Sequence, residues 1–482
     1  MQADRTCGKS GCPLSLSRRS FLATAGAFGA ATQLGLLDFA SSLFAAQPRA
    51  AGKPIVRVAF VRPDTDRYWM GWPGASYDIK ARQKQYTDIL RSAADELGVD
   101  LIIVAKPLHD AGAVDKFLAN VKKIPPNGLI VASMSLNQSW PHIDNIAKNR
   151  GNIPTIVFSP MGTSFTAHLQ GTRNIPGVYV AATQDLDWLK FGVRMLRTMW
   201  DMKHSRLCVC QGDKVEDRKL DVIGTTLHYI PRNRWPEEVK KVDESDEVRA
   251  IASYYADNAK KIVEPNRQDI LNAAKNYFVA KRIMAAENCH GISVDCLPLV
   301  QNRQIPCPPC IAWLRLNDEG SVGACEADWN AAISLRLTSL LFNRPGFMQD
   351  PAPNTVNNTL MGAHCSCPTK LDGFDKSPEP FSLRSHSESE IGVAPQVFWR
   401  IGQKVTVMEF DGPGKILLGT GRVLRNIDTP PAGGCRTSVE LEMDDMADCR
   451  DTKGFHQLFV YGDLDLPFRA YCQLAGIQVV HI

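Results

Sequence analysis

From Pro54 onward the chain alternates short continuous apolar runs with longer segments whose apolar residues recur at helical spacing. Runs at 55–61, 101–105, 128–132 and 155–158 read as strands buried on both faces, the signature of a parallel sheet. Between them, 81–97, 114–121 and 142–148 read as helices, the first ending at Gly98. A second unit begins at about 179, with an amphipathic helix over 186–200 and a strand over 207–210. Helices at 247–263 and 267–287, a strand at 290–294, an apolar run at 311–316 and a helix at 328–342 complete it. Strand–helix alternation with short turns predicts doubly wound sheets in both units.

After Pro345 the pattern changes. Proline, asparagine and serine are frequent through 389, and short β-like runs follow at 396–400, 404–410, 416–425 and 438–443. Turns such as Asp411-Gly412-Pro413-Gly414 separate them, and a strand at 456–461, a helix at 466–475 and a strand at 477–481 close the chain. The expected fold class is α/β: two doubly wound parallel-sheet domains, 52–178 and 179–345, then a C-terminal β-barrel-like domain, 346–482. No glycine-rich phosphate loop opens any helix, which argues against a nucleotide cofactor.

Residues 1–51 stand apart. Ser17-Arg18-Arg19-Ser20-Phe21-Leu22 is a twin-arginine pattern, followed by a modestly apolar stretch and small residues near 45–51. That order predicts a twin-arginine signal peptide, the export machinery as a partner, and a periplasmic or extracellular location. Without the charges of Asp4, Arg5, Lys9, Arg18, Arg19 and Asp38, the net charge falls from +4 to about +2. No basic run remains to suggest nucleic acid. Twelve of the fourteen cysteines follow the signal. An exported protein could pair them, but one folded before export meets a reducing cytoplasm first, so buried free thiols are expected. Cys307-Pro308-Pro309-Cys310 has the spacing of a redox or zinc pair but has no second such pair to join it.

Candidate chemistry lies in the second half. Glu326-Ala327-Asp328-Trp329 precedes a helix, Leu360-Met361-Gly362-Ala363-His364 precedes Cys365-Ser366-Cys367-Pro368, and His456 precedes a β-run. A carboxylate and two imidazoles from separate elements suit a divalent cation of hard or borderline character. Glu326 could equally be an acid at the positive end of a helix dipole. Asp295 and Asp328 are further acids that could line a crevice. His386, in a polar segment expected to be exposed, and Trp69, in an aromatic loop after the first strand, could contact a substrate.

These segments resemble those of the L-fucose and L-arabinose isomerases. The stretch ending Cys325-Glu326-Ala327-Asp328-Trp329 is similar to G-x-G-A-E-G-D-W-K-T-A of the arabinose enzymes, and Leu360–His364 is similar to their L-G-A-H. Gly454-Phe455-His456-Gln457 resembles their A-H-H-T. The resemblance implies a Mn²⁺ ion, or another divalent cation, held by Glu326, His364 and His456. It also implies a homo-oligomer and aldose–ketose isomerisation of a pentose or deoxyhexose through a cis-enediol. Where the family reads S-F-M-E-D, with a ligand and catalytic base at Glu, this chain has Gly346-Phe347-Met348-Gln349-Asp350. Glutamine can offer a metal its carbonyl oxygen but cannot take the proton. The expected ligands are therefore Glu326, Gln349, His364 and His456, and the expected catalytic carboxylates Glu326 and Asp350. Asp328 or Asp295 could serve in place of Asp350, or proton transfer is lost and the protein is an exported, non-catalytic sugar-binding or sensing protein. A cysteine-based redox or zinc protein using Cys307 and Cys310 is the third reading.

Overall fold

The computed structural model describes residues 52–69, 76–428 and 434–482; the twin-arginine segment lies outside the described residues. No described helix is long and apolar enough to cross a membrane.

Five parallel strands form the first sheet, in the order Asp100–Ile103, Ile55–Val61, Gly128–Ser133, Thr155–Ser159 and Val178–Ala182. Helix Ile79–Leu97 starts where the Asp78 side chain accepts from Ala81 N. It stops at Gly98, whose φ of 65° a glycine takes without strain. The boundary expected at 178/179 falls inside the last strand, which belongs wholly to this sheet. Helix Asp187–Lys203 then packs back against Ile79–Leu97, so the first layer extends past the expected limit.

The second sheet runs Val322–Cys325, Gly291–Val294, Arg206–Cys210, Thr226–Ile230 and Glu216–Lys219, with only the last pair antiparallel. The apolar run at 311–316 is the middle of helix Cys310–Asp318, buried on every side from Cys310 to Asn317. A helix enclosed in this way has no polar stripe to reveal its period.

In the third region six antiparallel strands close into a barrel: Lys404–Phe410, Gln457–Tyr461, Phe347–Asn354, Thr359–His364, Thr437–Met443 and Lys415–Asn426, the last pairing back to the first. Gln478–His481 adds in parallel at Lys415–Asn426. Two of these strands, Phe347–Asn354 and Thr359–His364, lie in the proline- and asparagine-rich stretch that gave no β signal. Pro351 and Pro353 fit there because Gln457–Tyr461 pairs only with Phe347, Met348 and Gln349. Beyond Gln349 that edge needs no amide donor. The face bearing Phe347, Val405, Val407, Leu441 and Phe459 fills the barrel. The alternate residues Met348, Met408 and Leu458 pack with helix Trp329–Phe342, which joins the barrel to the second sheet.

Candidate metal centre

Three segments meet where the second sheet adjoins the barrel. Strand Val322–Cys325 ends at its carboxyl edge, where ligands bind in open parallel sheets. Glu326 and Ala327 follow with φ of 60° and 54°. Two successive non-glycine residues in the left-handed region cost about 1–2 kcal/mol each. Asp328 then caps helix Trp329–Phe342, one carboxylate oxygen accepting from Ala331 N at 3.0 Å. The other two segments are the end of Thr359–His364 and the residue just before Gln457–Tyr461.

The turn directs the Glu326 carboxylate at both histidines. Oε1 is 3.8 Å from His364 Nε2 and Oε2 is 3.6 Å from His456 Nε2. The ligand atoms of all three residues lie within 4.8 Å of one another, and the rings of His364 and His456 meet edge to face at 5.7 Å. Asp350 joins them, its Oδ1 3.1 Å from His456 Nε2. These two buried atoms are close, yet neither has a hydrogen-bond partner among the described residues. Groups aimed at a shared point, rather than at each other, give this arrangement. Bonds of about 2.1–2.4 Å to an octahedral cation set neighbouring ligands about 3.0–3.4 Å apart; the Asp350–His456 spacing falls in that range and the two Glu326 spacings lie a few tenths of an ångström above it. The donor set of carboxylate oxygen and imidazole nitrogen fits a hard or borderline divalent cation, Mn²⁺ among others.

Asp328 has a supporting place. His456 Nδ1 donates to its Oδ2 at 2.7 Å, which fixes the ring and leaves Nε2 facing Glu326 and Asp350. With both oxygens engaged, Asp328 is not the free acid of a substrate crevice. Gln349 is wholly buried on the face opposite Asp350: strand alternation pairs it with Gln457, to whose Oε1 its Nε2 donates at 3.2 Å. Its Oε1 sits over Gly362, where an added Cβ would stand 2.6 Å away. That oxygen has no protein donor among the described residues. The acid that reaches the histidines from this strand is thus Asp350, one residue beyond the position matched by motif.

Charge follows from burial and these contacts. Burial raises the Glu326 carboxyl above its usual range, against the pull of His364 and His456. Burial also pushes Asp328 upward, but the hydrogen bonds from His456 and Ala331 outweigh it and hold the carboxyl low. Burial opposes a charged ring on His456 and His364. Asp328 and Asp350 nevertheless lift His456 to about 10, and contact with Cys365 lifts His364 to about 9.

The remaining expected residues lie elsewhere. Asp295 follows strand Gly291–Val294 and pairs with Arg232 Nη1 at 2.7 Å. His386 is buried, not exposed, and lies among thiols. Trp69 ends a short strand paired with Ser76; its side chain and the loop after it are outside the described residues. Sequence reasoning missed Glu409, a buried acid that accepts from Phe455 N at 3.1 Å behind His456. Burial and the nearby Asp328 push its carboxyl up to about 7. A carboxylate at an inward position of Lys404–Phe410, after Val405 and Val407, was the available signal.

Comparison with known proteins gives distant relatives. Over 238 residues the chain is 24% identical to sulfoquinovose isomerase of Clostridium sp. (strain MSTE9), covering 48% of this chain and 51% of the relative. Over 126 residues it is 31% identical to L-arabinose isomerase of Pectobacterium carotovorum subsp. carotovorum (strain PC1), covering 24% and 25%. The matches thus span about half of one relative and a quarter of the other, both sugar isomerases by name. No family model matches the chain.

Proposed function

We propose that the protein is a metal-dependent aldose–ketose isomerase acting on a pentose or deoxyhexose. The observation that carries this reading is the convergence of Glu326, His364 and His456 from three distant segments, with Asp350 beside them. The distant likeness to two sugar isomerases supports the same class. Glu326, His364 and His456 would hold the cation, with Asp350 next to it and Asp328 orienting His456. When bound, a Mn²⁺-like ion supplies Lewis acidity for the sugar's carbonyl and hydroxyl oxygens. The proton moves between adjacent carbons through a cis-enediol, and Asp350 takes and returns it. Its side chain is about two-fifths exposed while one oxygen stays against His456, so a substrate can reach it. Glu326 brings a second carboxylate to the same point, facing both histidines, ready for the neighbouring hydroxyl proton. Export by the twin-arginine route and assembly into a homo-oligomer complete the reading.

The test is incubation of the Mn²⁺-loaded protein with L-arabinose, sulfoquinovose and related aldoses in deuterium oxide. Ketose formation with deuterium at C1, the former carbonyl carbon, is expected. A second reading, a sugar-binding protein without catalysis, is favoured by Gln349 at the motif's base position. Saturable sugar binding with no ketose formed would establish it instead.

A further inference from the structure

A second set of metal-binding groups adjoins the Glu326 cluster and has no part in the proposed reaction. Cys310 opens helix Cys310–Asp318, Cys365 directly follows strand Thr359–His364, and His386 follows strand Phe381–Arg384. All three are buried, and their ligand atoms lie within 4.8 Å of one another. Cys310 Sγ is 3.3 Å from Cys365 Sγ. Cys325 and Cys435 also come within hydrogen-bonding reach of Cys365. Four thiols and one imidazole therefore converge from five separate segments. The His386 ring is held from behind, Nδ1 lying 2.9 Å from Ser389 Oγ, which leaves its other nitrogen for the thiols. An outer partner that fixes the ring is the usual accompaniment of a metal-bound histidine.

We propose that Cys310, Cys365 and His386 bind a thiophilic cation, zinc(II), with Cys325 or Cys435 as the fourth ligand. Thiolate and imidazole select such an ion over Mn²⁺. Zinc–sulfur bonds of about 2.3 Å in a tetrahedron set two sulfurs about 3.8 Å apart, whereas a disulfide requires about 2.05 Å. The 3.3 Å separation stands nearer the first. Cys310, Cys325 and Cys365 form no disulfide, and a bound cation would let thiolates persist in so dry a place. The site does not use the Cys307-x-x-Cys310 pair: Cys307 lies against Gly392 and Asn276 in a different apolar cluster, while Cys310 points to Cys365.

The two centres share backbone. Cys325 precedes Glu326, and Cys365 follows His364, so each of these two short segments carries a donor for either site. A closed zinc site would brace two of the three residues that hold the other cation. This inference stands whether or not the protein isomerises sugars.

The full chain, purified without chelators, is expected to carry zinc in stoichiometric amount. Replacement of that zinc by cobalt(II) should give a thiolate-to-cobalt charge-transfer band in the near ultraviolet. Cys365→Ser should weaken and shift the band, and Glu326→Gln, in the other centre, should leave it intact. The proposal is overturned if the cobalt-loaded wild type shows no thiolate band, whatever its metal content, or if non-reducing peptide mapping finds Cys310 and Cys365 joined. The wild-type spectrum decides the matter even if Cys365→Ser fails to fold.

Discussion

Asp328 and His456 are joined by a 2.7 Å hydrogen bond between Oδ2 and Nδ1, while the other Asp328 oxygen caps helix Trp329–Phe342. One side chain thus fixes both the start of a buried helix and the direction in which an imidazole presents its free nitrogen. The two tasks separate in Asp328→Asn. Asparagine caps a helix as well as aspartate does, so any stability lost should come from the charge pair with His456 and not from the cap. Its amide cannot accept from Nδ1 and cap the helix with the same oxygen, so His456 loses its fixed tautomer. Divalent-cation affinity should fall about 10–100-fold, measured by calorimetric titration of chelator-treated protein. Unchanged affinity would remove Asp328 from the account.

Ala327 occupies the left-handed region with φ 54° directly after Glu326, where the arabinose-isomerase pattern has glycine. Ala327→Gly should relieve this strain and stabilise the fold by about 1 kcal/mol, read as a higher midpoint in urea with unchanged slope. A loss of stability would mean that the methyl group's packing outweighs the backbone term.

Cation binding should release protons at neutral pH. In the metal-free protein His364 and His456 titrate at about 9 and about 10, above the ordinary imidazole value, so both are charged near pH 7.5. Ligation needs the neutral ring, so each bound cation displaces about two protons and affinity rises with pH up to that range. Calorimetry in buffers of differing ionisation enthalpy counts them. The stability linkage has the matching sign. A raised folded-state value contributes stability that is fully present below pH of about 6.5 and is lost as pH climbs through about 9 and about 10. Chelator-treated protein should therefore melt at lower temperature as pH rises through that window.

Asp350→Asn should lower isomerase turnover about 10²–10⁴-fold, the usual contribution of a positioned acid–base group, with sugar binding retained. Wild-type turnover in this variant would shift proton transfer to another acid, Glu326 or Glu409.

Much of this arrangement is legible in the sequence. The parallel strands announced themselves as continuous apolar runs, and Glu326, His364 and His456 each sat in a distinctive local sequence. The harder parts have physical reasons. Phe347–Asn354 holds two prolines and still forms a strand, because its partner releases one edge after Gln349. Strand alternation then decides that Asp350 and not Gln349 meets His456, and a one-residue difference in facing cannot be read from a motif match. His386 looked exposed because its neighbours are serines and glutamates, yet the loop folds inward onto Cys365. The thiols gathered there are scattered along the sequence from Cys310 to Cys435, at spacings that resemble no short metal motif.

The most direct measurement is electron paramagnetic resonance of Mn²⁺ titrated into chelator-treated protein, beside the His364→Ala and Glu326→Gln variants. The account predicts a saturable loss of the free Mn²⁺ signal in the wild type and little or none in either variant. Equal uptake by all three, or no uptake by the wild type, would contradict it.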